Sequence, residues 1–412
     1  MVTTALRLLP SLAADRDLPG AADLLADAGA ERVARFLMGR GLEPHRVEPA
    51  QAHYRPGRSL AVCFRAGAVD RSSGRPLCPT VTVECRAGHP DFLVWAFPDD
   101  PALPGLAVAA DGAHVRRRLR PLPAKVVVEP LRYRPRRRAV IRYGLDGDRV
   151  LFVKVVTPGR GRRLLALADA LRPTGLPLAL PFGRVAPGAL VLPNLLGTSL
   201  RDLLLTGGPL PPPERVAALS EELHTRALPA LATAGLSPAG DRTANRRRVD
   251  PATALCAAQM VARLLPSEGC AAGRLAEAVI SREEESEQPE QRMVHGDLYE
   301  NQVLVDGASL GLIDLDDLGP GDALLDAANF SAHLLVLGAS GPSAAALVFR
   351  YREELRAAFL RRLDADPVAL AWREAYCLLR LAAGPFRVLH PDWPRRTADR
   401  LALATAALSV RR

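Results

Sequence analysis
Hydrophobic and polar positions alternate with different periods along the chain. From Ala21 to Met38 (AADLLADAGAERVARFLM) apolar residues recur every three or four positions, which predicts an amphipathic helix ending at Gly39 or Gly41. From Tyr54 to about Ala109 the period shortens. SLAVCFRAG, TVTVECRAG and FLVWAFPDD read as strands of a small antiparallel sheet, parted by turns rich in Gly, Pro, Ser and Asp. A second strand group runs from Lys125 to Val156 as strand, Arg-rich turn, strand, Asp-Gly turn, strand. Helical periodicity then takes over: Glu214 to Ala230, Ala252 to Leu265, Gly273 to Ile280, Ala323 to Leu337, Ala344 to Asp364, Val368 to Leu381, and a last helix to Val410. The run SREEESEQPEQ reads as a solvated lead-in to Met293, and residues from Thr243 to Asp250 as a loop.

One stretch interrupts the helical half. Residues 293–317, MVHGDLYENQVLVDGASLGLIDLDD, contain two short apolar runs around Asp306-Gly307, a strong local signal for a hairpin. The hairpin sets Asp297 just before its first strand and Asp314 at the end of its second, seventeen residues later. Two carboxylates so placed suit phosphoryl transfer, in which the protein mainly positions groups and manages charge. One orients an acceptor hydroxyl and takes its proton; the other binds the Mg²⁺ that neutralises nucleotide phosphates.

The strand group ending in LFVKV places Lys154 late in its third strand. Protein kinases have the same order of strand, phosphate loop, strand, turn and strand with a phosphate-binding lysine. A lysine buried on an apolar strand needs a partner, and a nucleotide phosphate would supply one. The phosphate loop here would be residues 134–138, with Arg136 and Arg137 at its tip. The helix after Lys154 offers one acid to pair with it, Asp169. That acid, another from elsewhere, or the nucleotide alone would hold the lysine.

The run His295-Gly296-Asp297 and the later Ile313-Asp314-Leu315-Asp316 resemble the catalytic segment of the aminoglycoside phosphotransferase and choline kinase-like small-molecule kinases. The resemblance covers about Lys125 to the end and is strongest from Met293 to Leu335. It implies an α+β, protein kinase-like bilobal fold: an antiparallel β N-lobe (121–195) and a mainly α-helical C-lobe (196–412) carrying the catalytic loop. An additional N-terminal α/β cap region would occupy 1–120. It implies an ATP-dependent phosphotransferase acting on a hydroxyl of a sugar, amino sugar or antibiotic-like metabolite. Asp297 would be the catalytic base and His295 a support for its loop. Asp314 would bind Mg²⁺, with Asp316 as a second metal-side carboxylate. The family's amide ligand falls five residues after the base, where this chain has Gln302, with Asn301 one place early; Gln302 is favoured. Pro193, Asn194 and Leu195 would form the hinge against adenine, Ser199 would cap the next helix, and His224, Asp322 and Asp326 would be structural. The acceptor would bind C-lobe helices, where Glu353, Glu354, Asp364 and Glu374 are the acidic candidates.

Composition narrows the alternatives. The net charge is +9 and the six cysteines are scattered, with no pattern for zinc or disulfides. Arginines crowd 116–142 and 246–248, but without aromatic interleaving or a nucleic-acid motif, so a nucleic-acid partner is not expected. No apolar run or leader pattern suggests a membrane, and a cytoplasmic protein, monomer or homodimer, is expected. The basic balance favours a neutral or anionic acceptor. A non-catalytic nucleotide-binding homologue is the alternative; a protein kinase is disfavoured by the short segment after Asp314. His53 and His89 stand isolated. Tyr54-Arg55-Pro56-Gly57-Arg58 is echoed by Tyr133-Arg134-Pro135-Arg136-Arg137, through duplication or through composition, with duplication favoured.

Overall fold
The computed structural model describes residues 15–119, 122–234, 247–287, 290–341 and 343–410. Two helices, α1 (Ala21–Leu24) and α2 (Asp27–Met38), stand where one long helix was expected. The break lies where Gly29 meets the end of α1: a Cβ there would sit 2.2 Å from the Leu24 carbonyl oxygen. Strands β1 (Leu42–Arg55), β2 (Ser59–Asp70), β3 (Pro76–Leu77), β4 (Thr80–Arg86) and β5 (Leu93–Ala96) form an antiparallel sheet ordered β1-β2-β4-β5, with β3 paired to β2. Most of β1 was not legible as a strand. It lies at the sheet edge, and its ladder shifts register at Pro44 and Pro49, as prolines require.

The next module repeats this plan. Helices α3 (Leu106–Ala110) and α4 (Gly112–Arg118) precede an antiparallel sheet of β6 (Val127–Arg134), β7 (Arg138–Gly144), β8 (Val150–Val155), β10 (Ala189–Pro193) and β9 (Gly183–Ala186), in that order. The two opening hairpins agree in detail. Arg55 pairs with Ser59 and Arg134 with Arg138, leaving turns of equal length. Gly57 and Arg136 occupy the same left-handed place in them, with φ of 66° and 59°. The Asp15 carboxylate accepts from the Tyr54 hydroxyl (2.6 Å) and the Gly57 N–H (2.9 Å). The Asp100 carboxylate accepts from the Tyr133 hydroxyl (2.8 Å) and the Arg136 N–H (2.7 Å). Asp15-x-x-Leu18-Pro19-Gly20 and Asp100-x-x-Leu103-Pro104-Gly105 open the two modules alike. One position differs in charge: Glu84, opposite Ala61, stands where Lys154, opposite Val140, stands in the second sheet.

The remainder is helical around a small β insertion. Helices α5 (Pro158–Leu171), α6 (Leu200–Thr206), α7 (Pro213–Thr233), α8 (Pro251–Leu264) and α9 (Gly269–Glu285) precede the insertion. The Ser199 side chain caps α6 by accepting from Asp202 N–H at 3.1 Å. Helix α9 runs on through much of the acidic stretch read as a lead-in. The loop expected from Thr243 to Asp250 lies partly outside the described residues. The insertion contains β11 (Thr198–Ser199) paired with β13 (Val303–Asp306), which pairs with β14 (Ser309–Leu312); β12 (Gln291–Val294) pairs with β15 (Gly319–Asp322). Then come α10 (Ala323–Ser340), α11 (Ala345–Leu363), α12 (Pro367–Ala382), α13 (Gly384–Arg387) and α14 (Trp393–Leu408). Helix α10 is long and apolar enough to cross a membrane, but 67% of it is buried within the protein. It is the core helix of this half.

The first sheet touches both other parts. Its core takes in Leu264, Phe386 and Trp393 from the helical half. Towards the second sheet, Trp95 donates to the Tyr133 hydroxyl at 2.8 Å, and Arg136 Nε donates to Glu84 at 2.6 Å.

Candidate active site
The segment between β12 and β13 is held on several sides. The buried Asp326 carboxylate accepts from the backbone N–H groups of His295 (2.6 Å) and Gly296 (3.0 Å). Met293 N–H donates to His224 Nδ1 at 3.0 Å, which gives His224 a structural place. Asn329 Nδ2 donates to the Leu298 carbonyl at 2.9 Å. Gly296 has φ 80°, and a Cβ there would lie 2.5 Å from the Asp317 carbonyl oxygen, so only glycine lets this loop pass. His295 is buried, with Nε2 at 2.9 Å from the Ile313 carbonyl, the residue before Asp314. Its ring therefore ties the loop to the second acidic strand, and Nε2 carries the proton.

Asp297 is left partly open, and its carboxylate makes no hydrogen bond among the described residues. Burial raises its carboxyl above the usual range, while Arg380 pulls in the opposite direction.

Just after β14, Asp314 adopts left-handed backbone geometry (φ 63°, ψ 50°), which aspartate tolerates better than most residues. Lys154 pairs with its carboxylate and, at 2.5 Å, with Asp316. Arg138 lies 3.0 Å from Asp314 and 3.4 Å from Asp316. Against a burial that would raise it, Lys154 and Arg138 hold the Asp314 carboxyl well below the ordinary carboxylate range. The buried Gln302 places Nε2 at 3.5 Å from Asp314 Oδ2, while the Asn301 side chain makes no such contact among the described residues. The structure thus brings Lys154, Gln302, Asp314 and Asp316 together, with Asp297 and His295 on the adjoining loop.

Three expectations are corrected. Asp169 does not reach Lys154: it is exposed and lies 3.8 Å from Arg172, because it sits on the outer face of α5. The partners of Lys154 are the hairpin carboxylates, and α5 instead sends Arg160 to Asp317 (2.9 Å) and Arg163 to the carbonyls of Asp316 and Leu318 (3.2 Å each). Arg136 turns away from the site to Glu84 and lies over the Trp95 ring at 5.3 Å; Arg137 is exposed on the same turn, and its expected phosphate contact is not overturned by this. Arg138, first residue of the returning strand, takes the inward place, on the strand face of Val140, which pairs with Lys154. The acidic acceptor candidates do not form a pocket. Glu374 is buried against Arg352 (3.2 Å) and Arg356 (2.8 Å), Glu353 lies 3.6 Å from Arg356, and Glu354 and Asp364 are exposed.

At the expected hinge, Pro193 ends β10 opposite Leu151, and Leu195 packs over Gly311, where a Cβ would meet Leu195 Cδ1 at 3.2 Å. Phe182, whose N–H donates to the Val191 carbonyl at 2.9 Å, and Leu196 leave apolar surface exposed at 52% and 71%.

A family model described as the phosphotransferase enzyme family matches residues 138–376, more than half of the chain. The chain belongs to the phosphotransferase enzyme family. Its fold is the two-lobed α+β fold of protein kinase-like enzymes, extended at the N-terminal side by the first helix-and-sheet module. Similar solved structures include a choline/ethanolamine kinase family protein from Mesorhizobium loti (17% identity, 69% of this chain and 88% of that one, TM-score 0.46). An ethanolamine kinase from Plasmodium vivax is 10% identical over 68% of this chain and 82% of that one, TM-score 0.43. The GDP complex of wild-type aminoglycoside 2'-phosphotransferase-IIIa is 16% identical over 71% and 97%, TM-score 0.45. No curated protein matches the chain.

Proposed function
We propose that the protein transfers the γ-phosphoryl group of ATP, in a Mg²⁺-dependent reaction, to a hydroxyl of a small molecule. One observation carries this reading: a carboxylate with no hydrogen bond among the described residues, Asp297, lies within electrostatic reach of Asp314, which with Asp316 is already gripped by cations. These are opposite tasks, and each has its own residue. The acceptor O–H gives its proton to Asp297 as its oxygen bonds to the γ-phosphorus. The bond from that phosphorus to the β,γ-bridging oxygen breaks, and ADP leaves. The oxygens of Asp314, Asp316 and Gln302 are the hard donors that Mg²⁺ takes alongside substrate phosphates. When bound, the ion supplies neutralisation of the β- and γ-phosphate charge. Lys154 and Arg138 then turn from the carboxylates to the phosphates, and the Pro193–Leu195 backbone with Phe182 and Leu196 receives the base. We read residues 15–119 as a degenerate copy of the nucleotide lobe. It keeps the braced turn and has Glu84 in place of the lysine.

The test is ADP release from Mg·ATP across sugars, amino sugars, aminoglycosides and nucleosides, with product masses. Asp297→Asn should abolish transfer and keep nucleotide affinity, since this carboxylate meets the acceptor rather than the phosphates. Transfer by that variant at the wild-type rate would remove Asp297 from the mechanism.

A further inference from the structure
Beside Asp297 stand several arginines that form no ion pair among the described residues. Arg380 ends α12 with its guanidinium 5.3 Å above the Tyr376 ring, and it is the strongest positive influence on Asp297. Arg387 ends α13, and Arg400 of α14 crosses the junction between α12 and α13, where it donates to the Leu381 carbonyl at 2.5 Å. Gly384 lies beneath this crossing, where a Cβ would be 2.6 Å from Arg400 Nη1. Arg132 and Arg134 of β6, in the other lobe, lie within electrostatic reach of Arg387, which is also within reach of Tyr299, Asp297 and Arg138. Tyr299, two residues past the base, stacks on His333 with centroids 4.2 Å apart and makes a flat wall.

Elsewhere in the cleft the cations are satisfied. Lys154, Arg138 and Arg160 each meet a carboxylate. Among the described residues, Arg132, Arg134, Arg380, Arg387 and Arg400 meet none. Their crowding is unfavourable as it stands: burial and then Arg387 push Arg134 down to about 9, and burial, Arg396 and Arg387 push Arg400 down to about 10. His333, pushed down to about 3 by burial and four arginines, stays neutral and adds no charge to the wall. Arginines collected about a cleft present forked donors that match a carboxylate or a phosphate.

On the phosphotransferase reading above, we propose that the acceptor is an anion: a hydroxyl compound whose carboxylate or phosphate sits among Arg380, Arg387, Arg400, Arg132 and Arg134, with its hydroxyl at Asp297. The same cluster repels a polycation. Nucleotide phosphates are served separately by Lys154 and Arg138, on the Asp314 side.

The experiment has a binding arm and a turnover arm. Inorganic sulfate is titrated calorimetrically into wild type, Arg387→Ala, Arg387→Lys and Lys154→Met, each free and saturated with Mg·ADP. Sulfate should bind the Mg·ADP-saturated wild type, weaken about tenfold in Arg387→Ala, recover partly in Arg387→Lys, and be unchanged in Lys154→Met. In turnover with Mg·ATP, glucuronate and glucose 6-phosphate are compared with glucose and an aminoglycoside by product mass. Transfer to either anionic sugar in preference to glucose supports the proposal, and which of the two is used separates carboxylate from phosphate. Preferred transfer to glucose or to the aminoglycoside overturns it, as does sulfate binding that is absent or indifferent to Arg387. Failure of Mg·ADP to bind would instead overturn the phosphotransferase reading, and the titrations without nucleotide would still score the arginine cluster.

Discussion

Asp326 offers a test in which stability and activity move in opposite directions. Its carboxylate is buried and accepts the N–H groups of His295 and Gly296. Burial pushes its carboxyl up to about 6, with His295 and the two N–H groups pulling partly back. An unfolded chain has the group at about 3.9. The folded state therefore holds the proton more tightly. The stability this contributes is complete below about pH 3.9 and is lost as pH rises through about 6. The full loss is about 3 kcal/mol. Asn copies the neutral acid in shape and does not titrate. In Asp326→Asn, unfolding free energy relative to wild type should thus rise by about 2 kcal/mol between about pH 4.5 and about pH 7.5. Urea unfolding of both proteins across that range reads the difference, and effects of every other carboxylate cancel. Turnover should fall, by roughly 100-fold, because an amide offers one acceptor for two N–H groups and the loop bearing Asp297 loses its placement. A stability gap that is flat with pH, or that moves in favour of wild type, would refute the reasoning.

Three other outcomes follow from the geometry. Gln302→Ala should raise the Mg²⁺ concentration needed for half-maximal rate while Asn301→Ala changes it little; equal effects would remove the preference for Gln302. Asp314→Ala should weaken Mg·ADP binding and turnover together, and unchanged titrations would free Asp314 from the metal. Glu84→Gln, far from any reacting atom, should raise the KM for ATP about threefold to tenfold with little change in kcat, through the freed Arg136 turn; an unchanged KM would detach the first sheet from nucleotide binding.

The hairpin that carries the candidate site was legible because its signals are local. Asp297, Gln302 and Asp314 lie within one short stretch, and the Gly307 turn fixes their relation. The helical half was legible from periodicity, with errors where charge misled: the acidic run after Ile280 continues α9 instead of leaving it. What escaped depends on long-range placement. Nothing local distinguishes Arg380 from an ordinary arginine on an amphipathic helix, and only the packing of α12 to α14 brings it to Asp297. Arg136 misled because its neighbours suggested a phosphate loop, whereas its partner Glu84 lies on another sheet. The strand β1 was obscured by the prolines that make its bulges.

The grip of Glu84 and Asp100 on the Arg136 turn has a consequence for what counts as the working unit. A left-handed arginine costs of order 1 kcal/mol, and fixing a free turn costs further conformational entropy. Here both costs are met during folding by residues on the N-terminal side of the turn, before nucleotide arrives. The family match begins at Arg138, just past that turn. A fragment cut at this boundary would retain Lys154, Asp297 and Asp314 and lose the scaffold that presets the strand carrying Arg138. On the proposed phosphotransferase reading, ordering it would oppose nucleotide binding, so the shortest competent enzyme should reach back at least to Asp100 and the sheet that holds Glu84.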